Sequence, residues 1–535
     1  MSLQKEQVHD FIKKYSEERI SRRQFLQAVT TVGGVAVAQS MMPGFRLATA
    51  LAQGSPKSGG TLVAATIDKP VNMDPAFAEL YSSMQVYQNI FSKLVNLDRD
   101  NNVMPGLAKS WQQIDDSTWE FSLVDNAYFH NDEHCTANDV KYTFDRLFSP
   151  DLGAPNAVFF TPLEGVEVVD DYTFRIITQP NWGGLLEALG AFAEVVNQKA
   201  IEENDPKLLP IGTGPFKFVQ WVKDDFIELE RWDKYFKPSQ PYLDKVIFRA
   251  ISDDTVRLTG LQTGELNWIE QVPLHRADEL RANADVKANP DGEFFPDMFL
   301  INCSKPPFDK VEVRQALQWA LHRESIANLV WFGQATPSAE PVSPSNPWYS
   351  GANVYEGGPD IDRAKALLAQ AGYEDGLTIR YASQPQVPTQ PLVGQLLEQQ
   401  LAPAGFRVEV ESFESARWFE ELFTLNYEIT GTYWSATADP GEHCLYPLSH
   451  SASPWNFSAF RDSPELDQAL EEFRFTLDPE ARQNAFNNVV RLHQESSPQV
   501  FQVNFKRTYW TQPNVHGAQT LPTLELRMED VWIDA

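Results

Sequence analysis

Residues Met104 to Arg146 read MPGLAKSWQQIDDSTWEFSLVDNAYFHNDEHCTANDVKYTFDR, and the order of their local signals decides the fold. Pro105-Gly106 marks a turn. Asp115-Asp116-Ser117 is a hairpin-type connection. Thr118 to Leu123 alternates polar and apolar side chains, which predicts a strand with one wet and one buried face. Asn131-Asp132 predicts a second turn. Thr136 is placed to N-cap a helix carrying Val140, Phe144 and Leu147 on one side.

Working outward, three more blocks stand in register with this one. The first is Gly212-Thr213-Gly214-Pro215-Phe216-Lys217-Phe218, followed by Trp221 and Leu229-Glu230-Arg231. The second is Asn302 with Pro306-Pro307-Phe308-Asp309 and Val313-Arg314-Gln315-Ala316-Leu317. The third runs from Trp434 to Asp439-Pro440. With P-G-L-A-x-S-W, D-D-x-T-W-x-F and T-A-x-D-V, these blocks resemble the large periplasmic solute-binding proteins of peptide, opine and nickel ABC importers. The resemblance spans nearly all of the chain after its N-terminal segment. It implies an α/β, two-lobed, hinged periplasmic-binding-protein fold with an extra subdomain in the first lobe. It also implies capture of a peptide or related small polar solute between the lobes and its delivery to an ABC permease in the inner membrane. Opine, oligosaccharide or nickel-chelate ligands are the alternatives within the family. No enzyme activity and no cofactor is implied.

Length and charge agree with an exported binding protein. A chain of 535 residues exceeds the size at which a single core stops growing. Hydrophobic residues make up 42%, enough for large cores. Residues 1–52 hold seven basic and four acidic side chains, so the rest of the chain carries −32 against −29 for the whole. Such acidity argues against nucleic acid and against anionic membrane as partners of the general surface. Ser21-Arg22-Arg23-Gln24-Phe25-Leu26 fits the twin-arginine pattern S-R-R-x-F-L, and Ala48-Thr49-Ala50 and Ala50-Leu51-Ala52 are both A-x-A cleavage sites. Export by the twin-arginine machinery, cleavage near residues 50–52 and a free, monomeric periplasmic protein are therefore expected. Cys135, Cys303 and Cys444 allow at most one intrachain disulfide.

The chain divides into a signal segment, 1–52, and a Ser/Gly/Pro linker, 53–60. The first lobe is read as 61–95, 200–298 and 502–535, with the extra subdomain at 96–199. The second lobe is 299–501, where helical patterns alternate with short strands. Crossings between lobes are expected near 294–302 and 498–505, with hinged closure on the ligand.

Several motifs bear on chemistry. His130-Asn131-Asp132-Glu133-His134 matches H-x-x-E-H, which binds zinc only when both histidines lie one turn apart on a helix. Here the motif follows an alternating strand and precedes the helix start at Thr136, so a turn is expected. A secreted metal-dependent hydrolase using His130, Glu133 and His134 is the competing class of function. His443, Cys444 and His450 suit a soft metal by type but match no standard spacing.

The binding candidates lie elsewhere. In the family the loop after the first strand lines the cleft, which here implicates Glu79, Leu80 and Tyr81: Glu79 for a ligand ammonium, Tyr81 for stacking. Tyr433-Trp434-Ser435-Ala436-Thr437-Ala438-Asp439-Pro440 offers backbone groups to an extended ligand. Family peptide binders resemble W-x-x-D-x-x-[DE]-P, whose first acid grips the α-ammonium. Thr437 stands where that acid would align, and Asp439 matches the second. A ligand amine is therefore expected on Asp439 or Glu79, or else absent or modified. Arg417 is a candidate for a ligand carboxylate. Met298, in the expected crossing strand, is a candidate for the cleft floor.

Overall fold

The computed structural model of the chain describes residues 56–77, 81–289, 292–435, 439–519, 521 and 525–534. The signal segment 1–52 lies outside these residues, as do Glu79, Leu80 and Thr437.

The first lobe is built on a seven-stranded sheet. Its strand order is Lys287–Ala288, Tyr509–Thr511, Trp268–Glu270, Thr61–Thr66, Lys245–Ala250, Phe226–Arg231, Phe216–Val222. Thr61–Thr66 is central and runs parallel to both neighbours, with Thr61 opposite Lys245 and Ala64 opposite Trp268. The helix Asp254–Thr263 lies between Lys245–Ala250 and Trp268–Glu270 in the chain. Asp253 Oδ1 caps it by accepting from Val256 N at 2.8 Å, and it stops at Gly264, whose φ of 85° suits glycine.

The quoted stretch supplies the first two strands of an antiparallel four-stranded sheet in the order Ala108–Gln113, Thr118–Leu123, Thr173–Thr178, Leu163–Asp170. Phe121 and Phe174 stack across it at 5.2 Å between ring centres. The helix Ala137–Leu147 starts with a capping box. Asp139 Oδ2 accepts from Thr136 N at 3.0 Å, and Val140, Phe144 and Leu147 are buried.

The second lobe carries a six-stranded sheet in the order Ala335–Pro337, Gln499–Arg507, Gly292–Ile301, Ile429–Tyr433, Leu377–Ser383, Phe406–Ser412. The last three strands are parallel and the others antiparallel. Helices Val311–Ala320, Thr389–Leu401, Pro464–Arg474 and Pro479–Ser496 supply much of the rest of its core. The sequence pattern from Val311 to Trp331 reads as one helix, but the helix ends at Ala320. His322 caps a new turn there, its ring nitrogen accepting from Ser325 N at 3.1 Å.

The chain changes sheets twice. Lys287–Ala288 belongs to the first sheet and Gly292–Ile301 to the second. Gln499–Arg507 belongs to the second and Tyr509–Thr511 to the first. Both strands read as crossings from sequence therefore lie wholly in the second sheet. The changeovers sit between Ala288 and Gly292 and at Thr508. The cause is packing: Phe295, Met298, Phe299 and Ile301 are all buried in the second lobe's core.

Candidate ligand cleft

The blocks that mark the sequence are joints of the scaffold. A Cβ on Gly106 would stand 2.5 Å from Lys93 O, and one on Gly212 would stand 2.2 Å from Ile90 O, so both positions need the bare backbone. Gly214 N and Phe216 N donate to Ile90 O and Asn89 O at 2.8 and 3.0 Å. Asn302 Nδ2 donates to Leu425 O and Tyr427 O, and Arg314, almost fully buried, donates to Ser496 O and Phe308 O.

The H-x-x-E-H stretch is a turn, with Asp132 at φ 71°. His130 is buried, its Nε2 3.1 Å from Gly214 O, while its Nδ1 accepts from Gly212 N at 3.4 Å. Burial lowers its pKa to about 4. Glu133 instead pairs with Lys199 at 2.6 Å, and His134 rests on the Tyr128 ring. Both ring nitrogens of His130 are thus spent on holding the glycine block. Cys135, Cys303 and Cys444 are all free and buried, so the one disulfide the count allowed is not formed.

Elements of both lobes meet at Tyr81. This residue opens the helix Tyr81–Tyr87 of the first lobe, and its ring stacks on Tyr433 of the second at 6.1 Å. Phe295 meets the same ring edge-on at 6.2 Å. The Arg507 guanidinium lies 4.9 Å from the Tyr81 ring centre and pairs with Glu270 at the end of a first-lobe strand. Burial pushes the Tyr81 phenol up, with Arg507 and Ser435 opposing. Asp68 follows the C-terminal end of the central strand Thr61–Thr66, the edge where open α/β sheets place ligands. Its carboxylate accepts no hydrogen bond among the described residues. Enclosure raises its pKa, against Arg507 and Arg257.

From Tyr433 the seam continues outward. Trp434 N donates to Pro296 O at 3.1 Å and Trp434 Nε1 to His443 O at 2.7 Å, and the ring meets Trp455 edge-on. Phe159 and Phe192 of the subdomain stack on each other at 4.0 Å and stand edge-on to His443 of the second lobe. Beyond them Arg482 Nη2 donates to Asp439 Oδ2 at 2.5 Å, and Arg474 grips Glu442 with three hydrogen bonds of 2.8–3.0 Å. Trp182 Nε1 of the subdomain donates to Glu442 at 3.3 Å, and Arg474 Nη1 to Thr161 Oγ1 at 3.0 Å.

The residues singled out from sequence thus separate. Tyr81, Trp434 and Ser435 lie on the seam. Asp439 is fully buried and occupied: besides Arg482, its Oδ1 accepts from Glu442 N at 2.9 Å. Met298 is inside the second lobe's core. Arg417 lies exposed on the helix Ser415–Phe423, paired with Glu420 and Glu421 of the same helix. Tyr433 belongs to the stretch singled out from sequence, whereas Asp68 and Arg507, which the structure places on the seam, were not singled out. The available signals were an acid two positions after the first strand and an arginine ending a largely buried one.

Two lobes joined by two chain crossings, with aromatic and charged side chains lining the seam, define a two-lobed solute-binding protein. Residues 102–456 match the model of bacterial extracellular solute-binding proteins, family 5 (middle), and the chain belongs to that family. Members are the solute-binding components of ABC importers. The glutathione-binding protein GsiB of Pectobacterium atrosepticum is 28% identical over 471 residues, covering 86% of this chain and 91% of that protein. The namesake from Escherichia coli K12 is 26% identical over 508 residues, covering 92% and 99%. Among solved structures, DppA of Helicobacter pylori in complex with the peptide STSA superposes with a TM-score of 0.82 at 25% identity, covering 90% of this chain and 99% of that one. AgaA of A. tumefaciens R10 with agropinic acid gives 0.81 at 24%, covering 89% and 99%, a likeness of fold.

Proposed function

We propose that this chain is the periplasmic receptor that captures a small peptide-like solute between its lobes and hands it to an inner-membrane permease. The observation that carries the reading is the contact of Tyr81 from the first lobe with Tyr433 from the second over Arg507. Aromatic faces from two lobes beside the buried Arg507–Glu270 pair suit a flat amide. Hinged closure about the changeovers near Ala288–Gly292 and Thr508 brings these groups together. The S-R-R-x-F-L motif and the A-x-A sites support twin-arginine export and cleavage near residues 50–52.

Asp439 already neutralises Arg482, so the ligand's cationic group needs another acid. Asp68 is that acid in this reading: among the described residues Arg507 and Arg257 act on its carboxylate, but none holds it by a hydrogen bond or a close ion pair. Glutathione is the first probe, because relatives over most of the chain are named for binding it. Titration calorimetry with glutathione, dipeptides and their N-acetylated forms is the test. A free-amine peptide is expected to bind, and Asp68→Asn to weaken it at least tenfold, about 1.4 kcal/mol, with melting unchanged. Equal affinity for acetylated and free forms would remove the ammonium from the reading.

A further inference from the structure

The outer seam holds more acid than base. Glu187, on the subdomain helix Leu185–Phe192, faces Asp439, Glu442 and Arg482 of the second lobe. Asp439 and Glu442 are matched by Arg482 and Arg474, which leaves Glu187 as the third carboxyl against two guanidinium groups. Its own helix offers no other ionisable side chain. The backbone at Gly183 and Gly184 is pressed against the second lobe: a Cβ on Gly184 would stand 2.6 Å from Glu442 Cγ. Little room remains there for a ligand cation to balance the charge.

His443 lies beside the same ion pair and has the opposite problem. It senses Asp439, Arg482 and Arg474, while Phe159 and Phe192 of the subdomain cover its ring. Contact between the lobes therefore takes water from both groups, and each is driven to its neutral form. Resting on the reading above that the lobes close, we propose that closure shifts a proton from His443 to Glu187, so that trapping stays nearly independent of pH from mildly acid to neutral conditions. The exchange runs through solvent: one proton leaves the imidazolium, one arrives at the carboxylate, and the net charge of the cluster is unchanged.

The two halves of the exchange have opposite signs. In the closed arrangement burial brings Glu187 up to about 7 from 4.5 and takes His443 down to about 4 from 6.5. With the lobes apart both return towards the ordinary values. Glu187 therefore favours closure as pH falls, and His443 opposes it over nearly the same range.

The test uses the full-length mature protein with spin labels at Val169→Cys in the subdomain and Phe423→Cys in the second lobe, both exposed positions. Pulsed dipolar spectroscopy reads the closed-to-open ratio at pH 8 and 5.5, without ligand. The wild-type pair is expected to change by no more than about threefold. Glu187→Gln leaves only the histidine half, and its ratio is expected to fall about tenfold on acidification. His443→Asn leaves only the carboxyl half, and its ratio is expected to rise about thirtyfold. Glu187→Gln keeps shape and is partly exposed, so it remains informative where the buried His443→Asn protein does not fold. A ratio that responds to pH alike in wild type and Glu187→Gln overturns the proton exchange while leaving the closure reading intact. A single fixed distance in every sample, with saturating ligand as well, overturns both.

Discussion

At the scale of single residues, Asp439 shows how a carboxylate in a promising motif becomes structural. Its two oxygens are taken by Arg482 and by the first turn after Pro440. Removing one member of a buried pair strands the other charge, at a cost of about 3–5 kcal/mol. Asp439→Asn is therefore expected to lower the melting temperature clearly, while the preference for free over acetylated peptides stays as in the wild type. Loss of that preference with unchanged melting would restore Asp439 as a ligand anchor. The spacing W-S-A-T-A-D-P pointed to an altered amine site, yet no local signal shows that Arg482, more than forty positions on, reaches back to Asp439. Asp68 was hidden for a related reason: only the sheet order makes Thr61–Thr66 the central parallel strand and so places its end at the seam.

At the scale of elements, the sequence reading was strongest where the determinants are local. Thr118–Leu123 and the capped helix after Thr136 stand where alternation and capping predicted them. It was weakest where a distant segment decides. Ser82–Leu94 reads from its pattern as one amphipathic helix, but the helix ends at Tyr87, and the carbonyls of Asn89 and Ile90 serve the block Gly212–Phe216. The crossing strands were recognised as strands, but which sheet they join depends on pairing partners that alternation cannot name. His130 belongs to this scale, because its ring ties the turn after one sheet to that glycine block. Its pKa is lowered to about 4 from 6.5. The unfolded chain therefore takes the proton first, and the stability that neutral His130 contributes above pH 6.5 is lost as pH falls towards 4, up to about 3 kcal/mol. In denaturant titrations the stability gap between wild type and His130→Asn is expected to narrow across that window. A gap that is constant with pH would show the imidazole is not buried neutral.

At the scale of the whole molecule, the four sequence blocks locate the scaffold and the seam locates the ligand, which is why the family is easier to read than its solute. Gly212, Asn302 and Arg314 are joints between segments far apart in the chain. The groups proposed to meet the ligand are scattered: Tyr81 and Asp68 from one lobe, Tyr433 and Trp434 from the other. Export belongs to this scale too. Arg22→Lys with Arg23→Lys is expected to leave unprocessed precursor in the cytoplasm, read by fractionation and immunoblot, whereas normal periplasmic accumulation would refute the twin-arginine route.

The central claim is that the lobes shut on a solute, and small-angle X-ray scattering of the mature protein tests it most directly. Titration first identifies a compound that binds, starting from glutathione and the dipeptides. With that compound at saturation the radius of gyration is expected to fall and the profile to change shape, because hinged closure shortens the molecule across the cleft. Superimposable profiles with and without a compound whose binding calorimetry has established would contradict the account.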